Sequence, residues 1–213
     1  STNSSIGLIY ALKKILFKIM RCLFLGYNRK KTKLIKLLET KGYKVLNINR
    51  KISFSDIENN DLYISFGYRK IIPKKILQKT KRPIINLHLS FLPFNRGAHP
   101  NFWSFIENTP SGVSIHEIDS GIDTGPIIFR KKIKFDYKNN KNITFKSTYN
   151  ELFKEAESLF AKNINKLVTK NYKAKKQKNN FTIHKKKDLP KNIKSWNKKI
   201  FSYKKNFYKL VKI

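Results

Sequence analysis

The sequence predicts an α/β protein built on a mostly parallel β-sheet with helices on both faces. Short apolar runs of strand length recur along the chain, and several of the stretches between them carry helical spacing. A length of 213 residues suits one such domain with a proper core. The hydrophobic share of 40%, with 16 Phe, 10 Tyr and 2 Trp, excludes a wholly disordered chain. The single cysteine, Cys22, excludes an internal disulfide framework and any multi-cysteine metal site.

The elements follow in order. Residues 21–27 are a short apolar strand, and 30–41 a helix with Leu34, Leu37 and Leu38 on one face, ended by Gly42. Strands follow at 43–48 and 62–66, a short helix at 73–78, and a strand at 84–88 that feeds a loop. A helix at 101–107 precedes strands at 113–118 and 127–135. Thr144 then caps a long helix over 145–170, where Leu152, Phe153, Ala156, Leu159, Phe160, Ile164, Leu167 and Val168 keep helical spacing. No internal repeat is visible.

Both ends stand apart. Residues 6–20 are apolar but interrupted by Lys13, Lys14 and Lys18, too short and broken for a membrane span and without a small-residue cleavage site. A basic membrane-surface helix, a targeting segment and sequence upstream of a natural start are the readings open to them. The strand-like run from Met20 to Gly26 favours the last, so residues 1–19 are expected to be an extension before a catalytic domain at 20–170. Residues 171–213 hold fifteen lysines and one aspartate, interleaved with Phe181, Trp196, Phe201, Tyr203, Phe207 and Tyr208. Lysines with aromatics can grip single-stranded nucleic acid; equally, the aromatics can dock the segment while the lysines stay in water. Docking is the expectation.

Charge sets the partners this chain can meet. Lys and Arg number 47 against 13 Asp and Glu, for a net charge of +34. Such a field attracts phosphates, whether of nucleic acid, an anionic membrane or a nucleotide-linked metabolite. Seven of the basic residues are Arg, and the abundance of Lys, Asn and Ile reads as a compositional bias of an AT-rich genome. That bias does not account for the shortage of acids.

The chemistry is concentrated between residues 85 and 128. Asn86 and His88 share a face at the carboxyl end of a strand, where α/β proteins bind ligands. The next strand carries His116, and the loop after it Asp119, Gly121, Asp123 and Gly125. Asn, His and Asp suffice to move an acyl group between nitrogens. The amide donates to a developing oxyanion, the imidazole exchanges the amine proton, and the carboxylate orients or balances the imidazole. Taken singly, each residue also has a plain structural role, such as a strand-end hydrogen bonder or a turn former.

Together they resemble a known family. Asn86-x-His88-x-Ser90-x-Leu92-Pro93, then Arg96-Gly97-x-x-Pro100-x-x-Trp103, then Gly112-Val113-x-x-His116 and Gly121-x-Asp123-x-Gly125, are similar to the signature of the folate-dependent formyltransferases. That family includes glycinamide ribonucleotide transformylase, methionyl-tRNA formyltransferase and the sugar N-formyltransferases. Upstream, Ser65-Phe66-Gly67-Tyr68-Arg69 followed by Ile72-Pro73 resembles the family's loop near the folate pterin. The resemblance runs over about 20–170 and implies a single domain with a Rossmann-like sheet, the formyltransferase fold.

It also implies a reaction. The donor is 10-formyltetrahydrofolate as co-substrate, and Asn86, His88 and Asp123 take the catalytic positions, passing through a tetrahedral intermediate. Phe66, Gly67, Tyr68, Arg69, Asp119, Gly121 and Ile122 are expected to hold the folate. Ser90, Arg96, Gly97, His99, Trp103 and His116 are expected on the acceptor side. No metal is called for, and four histidines with one cysteine offer no obvious cage.

Residues 93–103 look most like short stand-alone formyltransferases of amino-sugar or surface-polysaccharide pathways, and residues 181–188 are similar to that group's tail. Methionyl-tRNA formyltransferase carries a β-rich second domain, and no such strand pattern follows Lys170. The expected acceptor is therefore the primary amine of a nucleotide-linked amino sugar, handled by a cytoplasmic enzyme without a membrane span. The enzymatic alternative is methionyl-tRNA, with the Lys-rich segment as an RNA grip. A non-catalytic nucleic-acid or membrane-surface binder on the same fold is the other, and the presence of Asn86, His88 and Asp123 argues against it.

Overall fold

The computed structural model describes residues 19–211. Of the expected extension only Ile19 falls among them; the rest lies outside the described residues. The strands are β1 (Met20–Gly26), β2 (Tyr43–Ile48), β3 (Leu62–Phe66), β4 (Ile85–His88), β5 (Arg96–Gly97), β6 (Gly112–Glu117), β7 (Ile127–Lys132) and β8 (Ile183–His184). The α-helices are α1 (Leu34–Thr40), α2 (Phe54–Ile57), α3 (Lys74–Leu77), α4 (Pro100–Ile106), α5 (Phe145–Val168) and α6 (Ile200–Val211). Six strands form one sheet in the order β2-β1-β3-β4-β6-β7, and β5 and β8 form a separate parallel ribbon. The β2-β1-β3-β4 half is parallel, whereas β6 and β7 extend it antiparallel. The sheet is the mostly parallel one the sequence predicts, in a single α/β domain.

Side-chain alternation decides what each face of the sheet does. On one face Phe24, Ile64, Phe66, Ile85, Leu87 and Ile115 lie buried against Leu34 and Leu38 of α1 and Leu152, Ala156 and Phe160 of α5. The opposite face divides. Over β1 and β3 it is apolar, with Leu23, Leu25 and Tyr63 packed on Ile57 of α2 and Ile76 of α3. Over β4 and β6 it turns polar: Asn86 is paired with His116, and His88 with Ser114. An apolar helix laid on that half would strand donors and acceptors without partners, at a cost of several kcal/mol. Loops rich in hydrogen bonds cover it instead, and this is what localises the site.

β2 and β3 have the expected bounds. The first helix begins at Leu34, not residue 30, because Asn28 folds the preceding residues into a turn: its side chain accepts from the amides of Lys30 and Lys31. Thr144 does cap α5, with Ser147 N donating to its hydroxyl and its own amide donating to Ser147. α2, α6 and the β5–β8 ribbon were not legible as elements. α2 is held by a capping box in which Asp56 accepts from the Ser53 amide, with the Arg50 guanidinium clamped on the same carboxylate.

After α5 the chain returns across the site. Lys175 pairs with Ile127, β8 with β5, and α6 lays Ile200 and Tyr203 against Phe102, Trp103, Phe105 and Phe145. Ile200 is fully buried, while Trp196 and Tyr208 stay 39% exposed. Among the described residues no helix is long and apolar enough to cross a membrane.

Candidate active site

The polar half-face brings Asn86, His88, His116 and Asp123 together. His88 Nε2 donates to the Asn95 carbonyl at 3.0 Å, and its Nδ1 lies 3.6 Å from Asp123 Oδ2. A ring protonated on both nitrogens therefore has an acceptor on each side. Asn86 Nδ2 lies 3.0 Å from His116 Nε2 and 3.4 Å from Asp123 Oδ1. His116 donates from Nδ1 to the Glu117 carbonyl at 2.8 Å, and its Nε2 is 3.4 Å from Asp123 Oδ1. Asp123 Oδ2 also accepts from the Gly97 amide at 2.8 Å. Asp123 is thus the hub of the cluster.

A folded-back loop delivers that carboxylate. Antiparallel β6 ends at Glu117, opposite the start of β4, so residues 118–126 must turn back over the sheet face to reach His88. Gly125 makes the turn possible, since a Cβ there would lie 1.8 Å from the Glu117 carbonyl oxygen. Asp119 braces the loop by accepting from the Gly121 amide and the Thr124 hydroxyl. Asp123 itself sits at φ +51°, a conformation uncommon outside glycine and often found at functional sites. Burial alone would raise its pKa. The His88 and His116 imidazoles and the Gly97 N–H outweigh that and hold the carboxyl well below the usual range.

The loop after β4 is held equally firmly. The Ser114 hydroxyl donates to the Ser90 carbonyl and accepts from the Leu92 amide, and Arg130 donates to the Leu92 carbonyl while lying over the Phe91 ring. Further on, the 175–184 segment straps the loop down. Arg96 N donates to Thr182 O, Ala98 N to His184 O, and Asn95 N to the Thr182 hydroxyl. The His184 ring stacks on Trp103 at 3.9 Å between centroids and stands 2.8 Å from a Glu107 oxygen.

The remaining expected site residues divide by exposure. Phe66 points its ring into the opposite-face core against Tyr27 and Phe153, leaving only its backbone toward the site. Gly67 follows it at φ +70°, with the Tyr27 ring where a Cβ would go. Tyr68 turns its hydroxyl away to the Arg50 carbonyl and the Ile52 amide, while Arg69 is exposed. Gly121 and Ile122 are exposed on the folded-back loop, which also carries Asp119. Ser90, Trp103 and His116 are buried, so they support the site from beneath and offer an acceptor little surface. Arg96 is also buried, its guanidinium donating to the Gln177 side chain. His99 is half-buried at φ +55°, its ring 5.5 Å from Trp196. Burial, reinforced by the Arg69 and Lys186 cations, lowers its pKa below the ordinary imidazole value.

Sequence reasoning missed Asn95, Ser114, Arg130, Gln177, Thr182 and His184. Asn95 and Ser114 lie within the motif stretch, where attention to backbone partners would have found them; Thr182 and His184 lie in the tail segment whose resemblance carried no site role, and Gln177 carries no local signal. Among the described residues no group of three or more His, Cys, Asp or Glu could hold a metal ion.

Comparison with known proteins identifies the family. A sequence model of the family described as formyl transferase matches residues 52–164, more than half of the chain. Among solved structures, the formyltransferase PseJ from Anoxybacillus kamchatkensis is 35% identical with a TM-score of 0.79, over 85% of this chain and 96% of that one. It was crystallised with UDP-4,6-dideoxy-4-formamido-L-AltNAc and tetrahydrofolate. A sugar N-formyltransferase from Shewanella sp. FDAARGOS_354 shares the fold, at 21% identity and a TM-score of 0.67 over 80% of this chain and 78% of that one. The methionyl-tRNA formyltransferase of Prochlorococcus marinus (strain MIT 9312) is 42% identical over 123 residues, 55% of this chain and 36% of that protein. The chain thus spans only about a third of the length of that curated relative. A family match across β3 to α5, with the Asn86–His88–Asp123 cluster at its centre, makes this chain a member of the formyl transferase family.

Proposed function

We propose that this chain transfers a formyl group from 10-formyltetrahydrofolate to the primary amine of a nucleotide-linked amino sugar. The observation that carries the reading is the cluster itself: an amide and two imidazoles joined to one ionised carboxylate by contacts of 3.4 to 3.6 Å, with the amide 3.0 Å from one of the rings, at the open end of a mostly parallel sheet.

Each residue has a task its contacts allow. Asn86 has one hydrogen toward His116 and the other only 3.4 Å from Asp123, at the outer limit of a hydrogen bond, so that one is free to turn to an oxyanion. Protonated His88 stabilises the same oxygen and gives its Nδ1 proton to the departing folate nitrogen as the donor C–N bond breaks, and the neutral ring then takes the proton of the newly bonded amine, which restores it. Asp123, ionised across the working pH range, holds His88 and balances its charge. Asn95 fixes the other ring nitrogen of His88, so the imidazole moves protons without turning.

The residues present fit the donor. In the β3–β4 register Phe66 lies opposite Leu87, so the Gly67 backbone stands level with His88. The Gly67 backbone there, backed by the Tyr27 ring, and the exposed aliphatic Ile122 suit a flat heterocycle read by backbone groups and covered by an apolar side chain. The donor supplies the formyl carbon.

The acceptor class is supported by likeness to PseJ over nearly the whole of that chain, and by a basic surface suited to a pyrophosphate. A second reading, methionyl-tRNA, is favoured by the 42% identity to the Prochlorococcus enzyme. The deciding experiment incubates the chain with 10-formyltetrahydrofolate and either UDP-4-amino-4,6-dideoxy-L-AltNAc or charged methionyl-tRNA, scoring formylated product by mass. Formylation of the sugar alone is expected. Formylation of the tRNA alone would replace the acceptor, and formylation of neither would remove the proposal.

A further inference from the structure

Gln177 lies outside the residues matched by the family, on the strap between α5 and β8, yet all its polar bonds go into the site. Its Oε1 accepts from Arg96 Nε at 3.1 Å and Nη2 at 2.8 Å. Its Nε2 donates to the carbonyls of Asp123 at 2.8 Å and Gly125 at 2.7 Å. The amide therefore has one orientation, since a flip would set its hydrogens against a guanidinium and its oxygen against two carbonyls. No other side chain fits both sides. Glu lacks the donors, Lys would repel Arg96, and Asn is one methylene short.

We propose that Gln177 is a positioning residue for the formyl transfer: it locks the Asp123 loop against Arg96 and so holds the carboxylate in register with His88. This rests on the formyl-transfer reading above. The strap does not need Gln177 as an anchor, because backbone pairs tie it at Lys175–Ile127, Thr182–Arg96 and His184–Ala98. The loop does need it. Asp123 occupies a left-handed backbone conformation, which Asp tolerates better than most residues but which is still less favourable than the ordinary regions, and constraints from its surroundings help hold it there. Two of those constraints are visible: the Gly97 amide on the side chain and Gln177 on the main-chain carbonyl. Arg96, which donates to Gln177, and Gly97, which donates to Asp123, are consecutive on β5, so the Gln177 and Gly97 grips on Asp123 are coupled and a shift of either moves the carboxylate relative to His88. A misplacement of about 1 Å at a reacting group can cost on the order of a hundredfold in rate.

The test uses Gln177→Met, which keeps the volume without hydrogen bonds, and Gln177→Glu, which keeps the Arg96 contact but sets an oxygen against the two carbonyls. Both are assayed with 10-formyltetrahydrofolate and UDP-4-amino-4,6-dideoxy-L-AltNAc. Q177M is expected to lower kcat about tenfold or more with both KM values within about twofold, and Q177E to be at least as slow. In an Asp123→Asn background Q177M should have little further effect, because Gln177 acts through Asp123. Wild-type kcat in either single variant, or additive losses in the double variant, would overturn the role. So would loss of folded protein in both, which would make Gln177 a structural anchor. A wild-type chain that formylates nothing would instead remove the underlying reading, and this inference with it.

Discussion

Ile200→Ala tests whether α6 is part of the folded unit. Ile200 is fully buried at the head of the helix, among Phe102, Trp103, Phe145 and Tyr203, with its amide donating to the Ile143 carbonyl. The substitution deletes three carbons, about 0.8 kcal/mol each by transfer, and leaves a cavity in a rigid aromatic cluster, for about 2.5 to 4 kcal/mol in all. For a chain of this size each kcal/mol lowers the melting temperature by about 2–4 °C, so a fall of about 5–15 °C is expected. The two tryptophans make the assay selective. Trp103 is buried on α4, and Trp196, 39% exposed, stands just before α6 against His99 and Phe102. Urea unfolding followed by both fluorescence and far-ultraviolet circular dichroism separates local release from global unfolding. Coincident transitions at lower urea mean that α6 unfolds with the sheet, and an early fluorescence change means that the tail lets go first. Phe201→Ala, at a half-buried position beside Ile200, is the control and should cost far less. A variant with unchanged melting and fluorescence would refute the packing argument.

The other expectations are simpler to state. Replacing His88 or Asp123 by Asn is expected to lower turnover at least about a hundredfold while equilibrium dialysis still finds folate bound; near-normal turnover would show that the cluster is not the reacting group. Acid should destabilise the fold with a definite sign. The Arg50 hydrogen bond holds Asp56, and the two imidazoles hold Asp123, below the usual carboxylate range. Their contribution is complete above the unfolded value of about 3.9 and is lost as pH falls from there through the folded values. The urea midpoint should therefore fall gently below about pH 6.5, where burial resists protonation of His99, and drop more steeply below about 4, less so in Asp56→Asn; a midpoint that rises on acidification would contradict this. Formylation of a sugar nucleotide should respond only mildly to salt. Tight tRNA binding with a steep slope, about 0.7 in log units per neutralised single-strand phosphate, would point to the other acceptor.

How far the sequence could be read depended on whether a residue's partner is local. β2 and β3 kept their expected bounds because each is written into five or six consecutive residues, β2 exposing alternate side chains and β3 a short apolar run buried throughout. Asn86, His88 and Asp123 were legible because strand alternation and glycine-flanked spacing place them, and the register of β4 against β6 adds His116 to the same face. α6 was hidden because its buried positions, Ile200 and Tyr203, are diluted by exposed Lys and Asn. Gln177 was hidden for a deeper reason. Its meaning comes from partners 81 and 54 residues away, on two loops whose meeting only the folded sheet determines.

The scarcity of acids takes on a different meaning once their partners are known. Of the 13 Asp and Glu, Glu39 holds Arg29, Asp56 holds Arg50, and Glu155 holds Lys131. Glu157 accepts from Thr32 and the Lys33 amide, Glu117 from Tyr172, and Asp188 from the Lys185 amide. Asp119 braces the folded-back loop, Glu107 faces His184, and Asp123 faces His88 and His116. The carboxylates a lysine-rich chain retains are largely those with a named structural or chemical task, and few are left to neutralise the field of 40 lysines. An anionic acceptor therefore approaches a surface with little carboxylate competition, and the negative group it meets at the cluster is the one that Gly97, His88 and His116 already hold in place. On the proposed reading, positive charge draws an anionic acceptor in, and Asp123 supplies the local negative charge that a protonated His88 needs.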